Sequence, residues 1–527
     1  MEESLQTILS FSLPAAWAAR AFFAYLRGMH MFQLNSYKAA THWKWLLKND
    51  EKPLRNLTVL LSVSLAVNLI CAYLLHLPDF ILYSGSMLLA YFIASIRLPS
   101  KKAKKPLVYT PRVVRMLVSG GLVLALVAAG GYFIAPFDWF WYFLLTLFLV
   151  DYLPLPANLI NMPIEAYIRR WFIKDAQKIL RICPDLVTIG ITGSYGKTSV
   201  KYYLTELLRG KFQTLMTPES YNTPMGIAKT VRGELRGFHE IFVCEMGARY
   251  VSDIHKLCDF VHPRHGIITA IGEQHLETFK SRENILHEKL ALARTVTDGL
   301  LFINGDNDKL RQNRPANAIA YGLNAAYNDC YAYDIAVTVR GTTFSVNLRG
   351  ELLEDLRTTL IGAHNVCNLV GAISMARALD VPESDIRARL KRLSAPPHRL
   401  ALTRTNGVAI IDDAYNSNPA GAKAALDALA LFDGYKALIT PGMVELGAEQ
   451  YDANFRFGQQ AAAVCDYVIA VGEKQAPPIL AGLASKGYHA EQTFTAPSFE
   501  AAIAKAYALP CSGEKIILLE NDLPDNY

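Results

Sequence analysis

A short apolar, partly β-branched run, Leu186-Val187-Thr188-Ile189-Gly190-Ile191, leads directly into Thr192-Gly193-Ser194-Tyr195-Gly196-Lys197-Thr198-Ser199 and then into a helix-like stretch, Val200 to Leu208. Strand, glycine-bearing loop, Gly-Lys-Thr and helix in that order point to an open α/β sheet in which backbone N–H groups and a helix N-terminus face an anion. Lys197 adds a positive charge, and the Thr198 hydroxyl is suited to Mg²⁺. The strict P-loop pattern G-x-x-x-x-G-K-[ST] is not met, because Ile191 stands at its first glycine. The local alternative is a tight strand-to-helix turn with an incidental lysine.

The chain ahead of this segment reads differently. Leu57 to Leu75 and Met116 to Ala135 carry no charge, and each is long enough to cross a hydrocarbon core of about 30 Å. Phe80 to Ile96 is slightly short, Trp139 to Ile160 is interrupted by Asp151, Pro154 and Pro156, and Ile8 to Tyr25 carries Pro14 and Arg20. Over 527 residues, 52% are hydrophobic, 19% are charged and the mean hydropathy is +0.17, which is high for a chain without lipid contact. Residues 1–165 are therefore expected to form an α-helical transmembrane module of about four spans plus a first spanning or interfacial helix. Arg97, Lys101, Lys102, Lys104, Lys105, Arg112 and Arg115 cluster between two of these runs, which places that loop, and everything after residue 165, on the cytoplasmic side. The implied location is multi-pass in the inner (cytoplasmic) membrane. Beside apolar spans, basic clusters face anionic lipid rather than nucleic acid. The eight cysteines form no C-x-x-C pair and read as reduced thiols.

A linker helix over 166–185 leads to a P-loop domain over 186–395 and, after Pro396-Pro397, to a Rossmann-like domain over 396–527, read from the strand-like runs at 408–411, 436–439 and 467–471. Several motifs extend the argument: Tyr221-Asn222-Thr223-Pro224-Met225-Gly226, Cys244-Glu245-Met246-Gly247-Ala248, Glu273-Gln274-His275-Leu276-Glu277, Gly362-Ala363-His364-Asn365-Val366-Cys367-Asn368 and Asp412-Asp413-Ala414-Tyr415-Asn416-Ser417-Asn418-Pro419. With the glycine loop they stand in the order seen in the Mur ligase family, which the chain resembles from about residue 186 to its end. Their wording is closest to the branch that adds D-alanyl-D-alanine to a UDP-muramoyl tripeptide.

The resemblance implies ATP-dependent amide formation through an acyl phosphate, with ATP and Mg²⁺ as cofactors. It places ATP on Thr192, Gly193, Ser194, Tyr195, Gly196, Lys197, Thr198, Ser199, Asn365, Arg399 and Asp413, and the metals on Thr198, Glu245, His275 and Lys289. It makes Lys197, His275 and Lys289 catalytic, with Lys289 carbamylated by CO₂ into an anionic ligand. A lysine in a cleft beside cations has its pKa lowered toward the neutral amine that carbamylation needs; the local alternative is a surface ion pair between Glu288 and Lys289. Tyr221, Asn222, Thr223, Tyr415, Asn416 and Asn418 are implied substrate contacts. Asn365 also reads locally as a helix N-cap. The implied partners are a muropeptide-like carboxylate acceptor, UDP- or lipid-linked, an amino acid or dipeptide amine, and the lipid bilayer. Two other readings remain open: a poly-γ-glutamate-type polymerase and a nucleotide-driven membrane transporter.

Overall fold

The computed structural model describes residues 18–19, 21–48, 106–134, 150–272, 276–405, 407–415, 417–444, 446–511 and 513–522. The chain divides after Arg169 into two compact units.

In the first unit the described helices include one over 21–34, α1 (Pro111–Ile134) and the first part of α2 (Pro154–Ile182). Their core is Ala21, Ala24, Tyr25, Met29, Phe32, Val113, Met116, Val150, Leu153 and Ala157. Polar side chains link these helices: Arg112 donates to the Asn158 side chain at 3.2 Å, Arg115 pairs with Glu165, and the Asn161 amide donates to Ser119 at 2.7 Å. The transmembrane module expected for residues 1–165, and the multi-pass membrane location built on it, do not stand. Among the described residues no helix is long and apolar enough to cross a membrane. The physical reason shows in α1: its opening turns carry Arg112 and Arg115 with their polar partners, and Gly120 lies directly under the Tyr25 ring, whose hydroxyl bonds the Met116 carbonyl. An uncharged run in a sequence does not report such side-to-side packing. The expected spans at 57–75 and 80–96, and the segments 8–17 and 139–149 of two others, lie outside the described residues.

The second unit holds two sheets. The first is built from β1 (Val187–Thr192), β2 (Thr214–Met216), β3 (Ile241–Glu245), β4 (His265–Ile268), β5 (Leu301–Asn304), β6 (Ala318–Gly322), β7 (Cys330–Thr338), β8 (Gly341–Leu348) and β9 (Glu351–Thr358), in the order β2-β3-β1-β4-β5-β6-β7-β8-β9. Pairing is parallel through β7 and antiparallel from β7 to β9. The central strands are buried on both faces, which is why β1 and β3 read as continuous apolar runs. One face is covered by α3 (Lys197–Leu208) and α7 (Ala363–Ala378), through Val200, Tyr203, Leu204, Leu207, Val366, Leu369, Val370 and Ile373. The other face packs Ile227, Val231, Ile254, Leu257 and Leu292, contributed in part by α4 (Pro224–Glu234) and α5 (Asp253–Val261). Another helix on the way to the site is α6 (Arg282–Lys289).

The second sheet contains β10 (Ala401–Thr405), β11 (Val408–Asp413), β12 (Tyr435–Thr440), β13 (Tyr467–Val471), β14 (Thr493–Ala496) and β15 (Lys515–Glu520), in the order β10-β11-β15-β12-β13-β14. All of its pairings are parallel except β10 with β11. The helix α8 (Pro419–Ala430) packs Ala422, Ala425, Leu426 and Leu429 into its core. In both sheets the carboxyl ends of the parallel strands open onto the loops that carry the sequence motifs, the usual place for a ligand in an open α/β sheet.

Candidate active site

The loop between β1 and α3 turns on two glycines that no other residue replaces cheaply. Gly193 has φ +150°, and a Cβ there would lie 2.1 Å from Thr269 Oγ1; Gly196 has φ +80°, and its Cβ would lie 2.7 Å from Asn368 Oδ1. Thr192 is buried and donates to the Met246 carbonyl at 3.0 Å, and the N–H and hydroxyl of the buried Ser194 both donate outside the loop, to the carbonyls of Ala270 at 2.6 Å and Gly272 at 3.2 Å. Tyr195 pairs with Ala270 in a single β-bridge, and Ser199 is buried behind the loop. The Lys197 ammonium donates to the carbonyls of Gly193 at 2.8 Å and Ser194 at 2.9 Å, so the lysine clamps the loop it follows. Burial lowers it to about 8, with Glu245 pulling the other way and Arg399 adding to the lowering.

Glu245 ends β3 and is only 1% exposed. Its Oε2 accepts from the Thr198 hydroxyl at 3.0 Å and faces the Lys201 ammonium at 3.0 Å, its Oε1 accepts from the Asn222 amide at 3.0 Å, and its own N–H reaches Thr217 Oγ1 at 3.1 Å. Burial alone would raise this carboxyl, but Lys201 and Lys197 outweigh it and hold the group below the usual carboxylate range. Thr198 and Glu245 thus present two hard oxygen donors in one place, a set suited to Mg²⁺, which takes one or two carboxylates and completes its shell with phosphate oxygens. Among the described residues no group of three or more His, Cys, Asp or Glu gathers as a metal site, and His275 lies outside the described residues.

Lys289 ends α6 at 3% exposure, and burial together with the charge of Lys197 brings its amine down to about 7. Its neighbour does not form the surface pair that local sequence allows. Glu288 is buried and accepts from the N–H groups of Ser252 at 2.7 Å and Ile254 at 2.6 Å, capping the start of α5. Glu288→Ala would leave the buried Ile254 N–H without its acceptor and free the part-buried Ser252 N–H to solvent, and is expected to cost about 1–3 kcal/mol, read from denaturant unfolding; a loss under about 0.5 kcal/mol would contradict the cap.

The residues expected to touch substrate separate in role. Asn222 is tied to Glu245, Thr223 caps α4 by accepting from Gly226 N–H at 3.3 Å, and the Tyr221 hydroxyl accepts from Lys229 at 2.7 Å. On the second sheet, Arg399 lies 4.2 Å from the centre of the Tyr415 ring, Asn418 caps α8 through Gly421 N–H at 3.0 Å, and Asn416 lies outside the described residues. Asp413 ends β11 in direct register with Glu520 of β15, and accepts from Leu400 N–H at 3.2 Å. Burial and the facing Glu520 push Asp413 up to about 7, and burial pushes Glu520 up to about 7 as well, with hydroxyls of Ser417 and Thr440 bonded to it. Asn365 is turned inward: its Oδ1 accepts from Tyr203 at 2.9 Å and its amide donates to the Ile361 carbonyl at 2.9 Å, while the N-cap of α7 is Gly362. Lys201, Thr217 and Glu520 were missed by sequence reasoning. Only Lys201 left a signal, its i+4 spacing from Lys197 along α3.

Residues 191–376 match the Mur ligase middle domain, and residues 398–520 match the Mur ligase, glutamate ligase domain. The chain is 31% identical over 280 residues to the UDP-N-acetylmuramoyl-tripeptide–D-alanyl-D-alanine ligase of Bacillus subtilis (strain 168), covering 52% of this chain and 59% of that one. It is 28% identical over 333 residues to the Escherichia coli (strain K12) enzyme of the same name, covering 60% and 73%. The chain thus spans only about three fifths of the Bacillus relative's length. A crystal structure of MurF from Acinetobacter baumannii superposes with TM-score 0.60 at 25% identity, over 68% of this chain and 78% of that one. The Thermotoga maritima MurF ligase, solved in complex with ADP, shares the fold at TM-score 0.59 and 23% identity, over 67% and 80%.

Proposed function

With residues 191–376 and 398–520 being the middle and glutamate-ligase domains of a Mur ligase, we propose that the chain is an ATP-dependent, ADP-forming ligase that joins a carboxylate to an amine in peptidoglycan synthesis. The observation that carries this reading is the convergence of Lys197, Thr198 and Glu245 at the carboxyl ends of β1 and β3, with the charge of Lys197 felt at Lys289.

The loop 192–199 would hold the phosphates by its N–H groups and the α3 N-terminus, with Lys197 neutralising charge that develops on transfer. Thr198 and Glu245 would hold Mg²⁺, which when bound screens the phosphate oxygens. Lys289, poised near neutrality, would take up CO₂ as its neutral amine, forming an N–C bond and releasing one proton, and so become an anionic ligand. In the ligation itself, an acceptor carboxylate oxygen attacks the γ-phosphorus, the bond to ADP breaks, and an acyl phosphate results. The amine nitrogen then attacks the acyl carbon, orthophosphate leaves and the nitrogen gives up a proton. Arg399, Asp413, Tyr415 and Asn418 belong to the side of the cleft that would bring the nucleotide and amine together and exclude water.

The relatives' names supply the substrate pair to test first: a UDP-N-acetylmuramoyl tripeptide and D-alanyl-D-alanine. Purified protein given this pair with ATP and Mg²⁺ is expected to release ADP and orthophosphate in step with one added dipeptide by mass spectrometry. ATP turnover indifferent to both acceptor and amine would overturn the proposal, and a ladder of products would replace single addition by polymerisation.

A further inference from the structure

Lys201 takes no part in the chemistry above, yet it is among the largest fully buried side chains, with 2% of its side-chain surface exposed. A buried ion pair is a poor way to gain stability, since well-packed apolar residues usually serve as well or better. The ammonium sits 3.0 Å from Glu245 Oε2, and it also donates to the carbonyl of Glu219. Glu219 is a non-glycine residue at φ +41°, in the loop that continues through Tyr221, Asn222 and Thr223. Asn222 in turn holds the other oxygen of Glu245, and Gly247 N–H bonds the Asn222 carbonyl at 2.8 Å. Lys201 therefore fixes one oxygen of this carboxylate from α3 and anchors the loop whose Asn222 fixes the other. It lies one helical turn beyond Lys197, which faces the glycine loop instead.

We propose that Lys201 is a positioning residue: it orients Glu245 for the metal–nucleotide complex and locks the 217–223 loop to that carboxylate, so that metal ligand and acceptor loop form one rigid unit. The inference rests on the ligase reading for the identity of the ligand, and it concerns residues that the phosphate loop does not need. A group behind a metal ligand typically changes metal affinity by about 10–100-fold when removed.

The test compares ADP binding by calorimetry with excess Mg²⁺ and with EDTA. The wild-type chain is expected to bind ADP more tightly with Mg²⁺. Lys201→Met is expected to lose about tenfold or more of that gain while its affinity in EDTA stays within about threefold, because Lys197 and the glycine loop 192–196 are untouched. Hydrogen exchange of Lys201→Met is expected to quicken in the peptide spanning 217–223. A purely structural role would weaken both ADP measurements alike. Lys201→Gln, which keeps an N–H donor without the charge, carries the same comparison if the methionine variant does not fold. A Mg²⁺ gain within twofold of wild type in the folded variant would overturn the role of Lys201 alone. A wild-type chain whose ADP affinity ignores Mg²⁺ would instead overturn the ligase reading.

Discussion

Lys197→Ala is expected to lower kcat/KM for ADP release by about a thousandfold, with the melting temperature nearly unchanged. Removing a single preorganised group that meets developing charge costs about 10²–10³ in rate, and Lys197 would serve twice. Its ammonium holds the carbonyls of Gly193 and Ser194, which fixes the path of the glycine loop, and it carries the positive charge nearest the start of α3. Loss of the clamp lets the loop open, and loss of the charge leaves phosphoryl transfer without its protein-borne cation. Lys197→Arg would not restore the rate, because a planar, longer guanidinium does not fit the two carbonyl contacts of a compact ammonium. Steady-state release of ADP measured against a thermal melt decides the matter: a drop under tenfold in a folded variant would remove Lys197 from the phosphate site. The same variant leaves Glu245 with Lys201 as its remaining close cation, so its fold is expected to survive.

Where a feature of this fold was readable from the sequence, its cause was local. The run Leu186–Ile191 declares a strand because each side chain is apolar or β-branched, and the structure places it one residue on, from Val187 to Thr192, whose hydroxyl is satisfied inside. The helix expected from Val200 begins earlier, at Lys197, because Gly196 adopts a left-handed conformation that ends the loop there. Strand 467–471 is found at the bounds of the apolar run Tyr467-Val468-Ile469-Ala470-Val471. Long-range partners were not readable. Glu288 looks like half of a surface pair until α5 brings Ser252 and Ile254 over it, and Asn365 looks like a cap until Tyr203 reaches it from α3. Glu520 announces nothing in the sequence; only the pairing of β11 with β15 sets it against Asp413. The apolar run after Arg115 misled for the same reason: its sequence does not show that Gly120 meets the Tyr25 ring, nor that Val118, Leu122 and Leu126 stay exposed.

Turnover is expected to rise with pH through about 7 and to fall when dissolved CO₂ is stripped from the buffer, and Lys289→Arg is expected to abolish the CO₂ dependence along with about 10³-fold or more of the activity. The sign follows from the amine. Burial and the charge of Lys197 bring Lys289 down to about 7, so the ammonium predominates below that pH and the nucleophilic amine above it. Only the amine combines with CO₂, hence carbamate formation at fixed CO₂ grows as pH passes through 7. Folding carries the matching signature. A lysine depressed in the folded chain and ordinary in the unfolded one leaves the unfolded state holding more protons between about 7 and 10.5, so its contribution to stability improves with rising pH across that window and is constant below it. Lys289→Met removes the buried charge and should flatten that part of the stability curve while giving an inactive protein. Arginine keeps its charge at every accessible pH and offers no amine to CO₂, so it separates the need for a carbamate from the need for a cation. An arginine variant with wild-type turnover, or a wild-type rate indifferent to CO₂ removal on either side of pH 7, would leave Lys289 as a buried structural lysine and take the carbamate out of the mechanism.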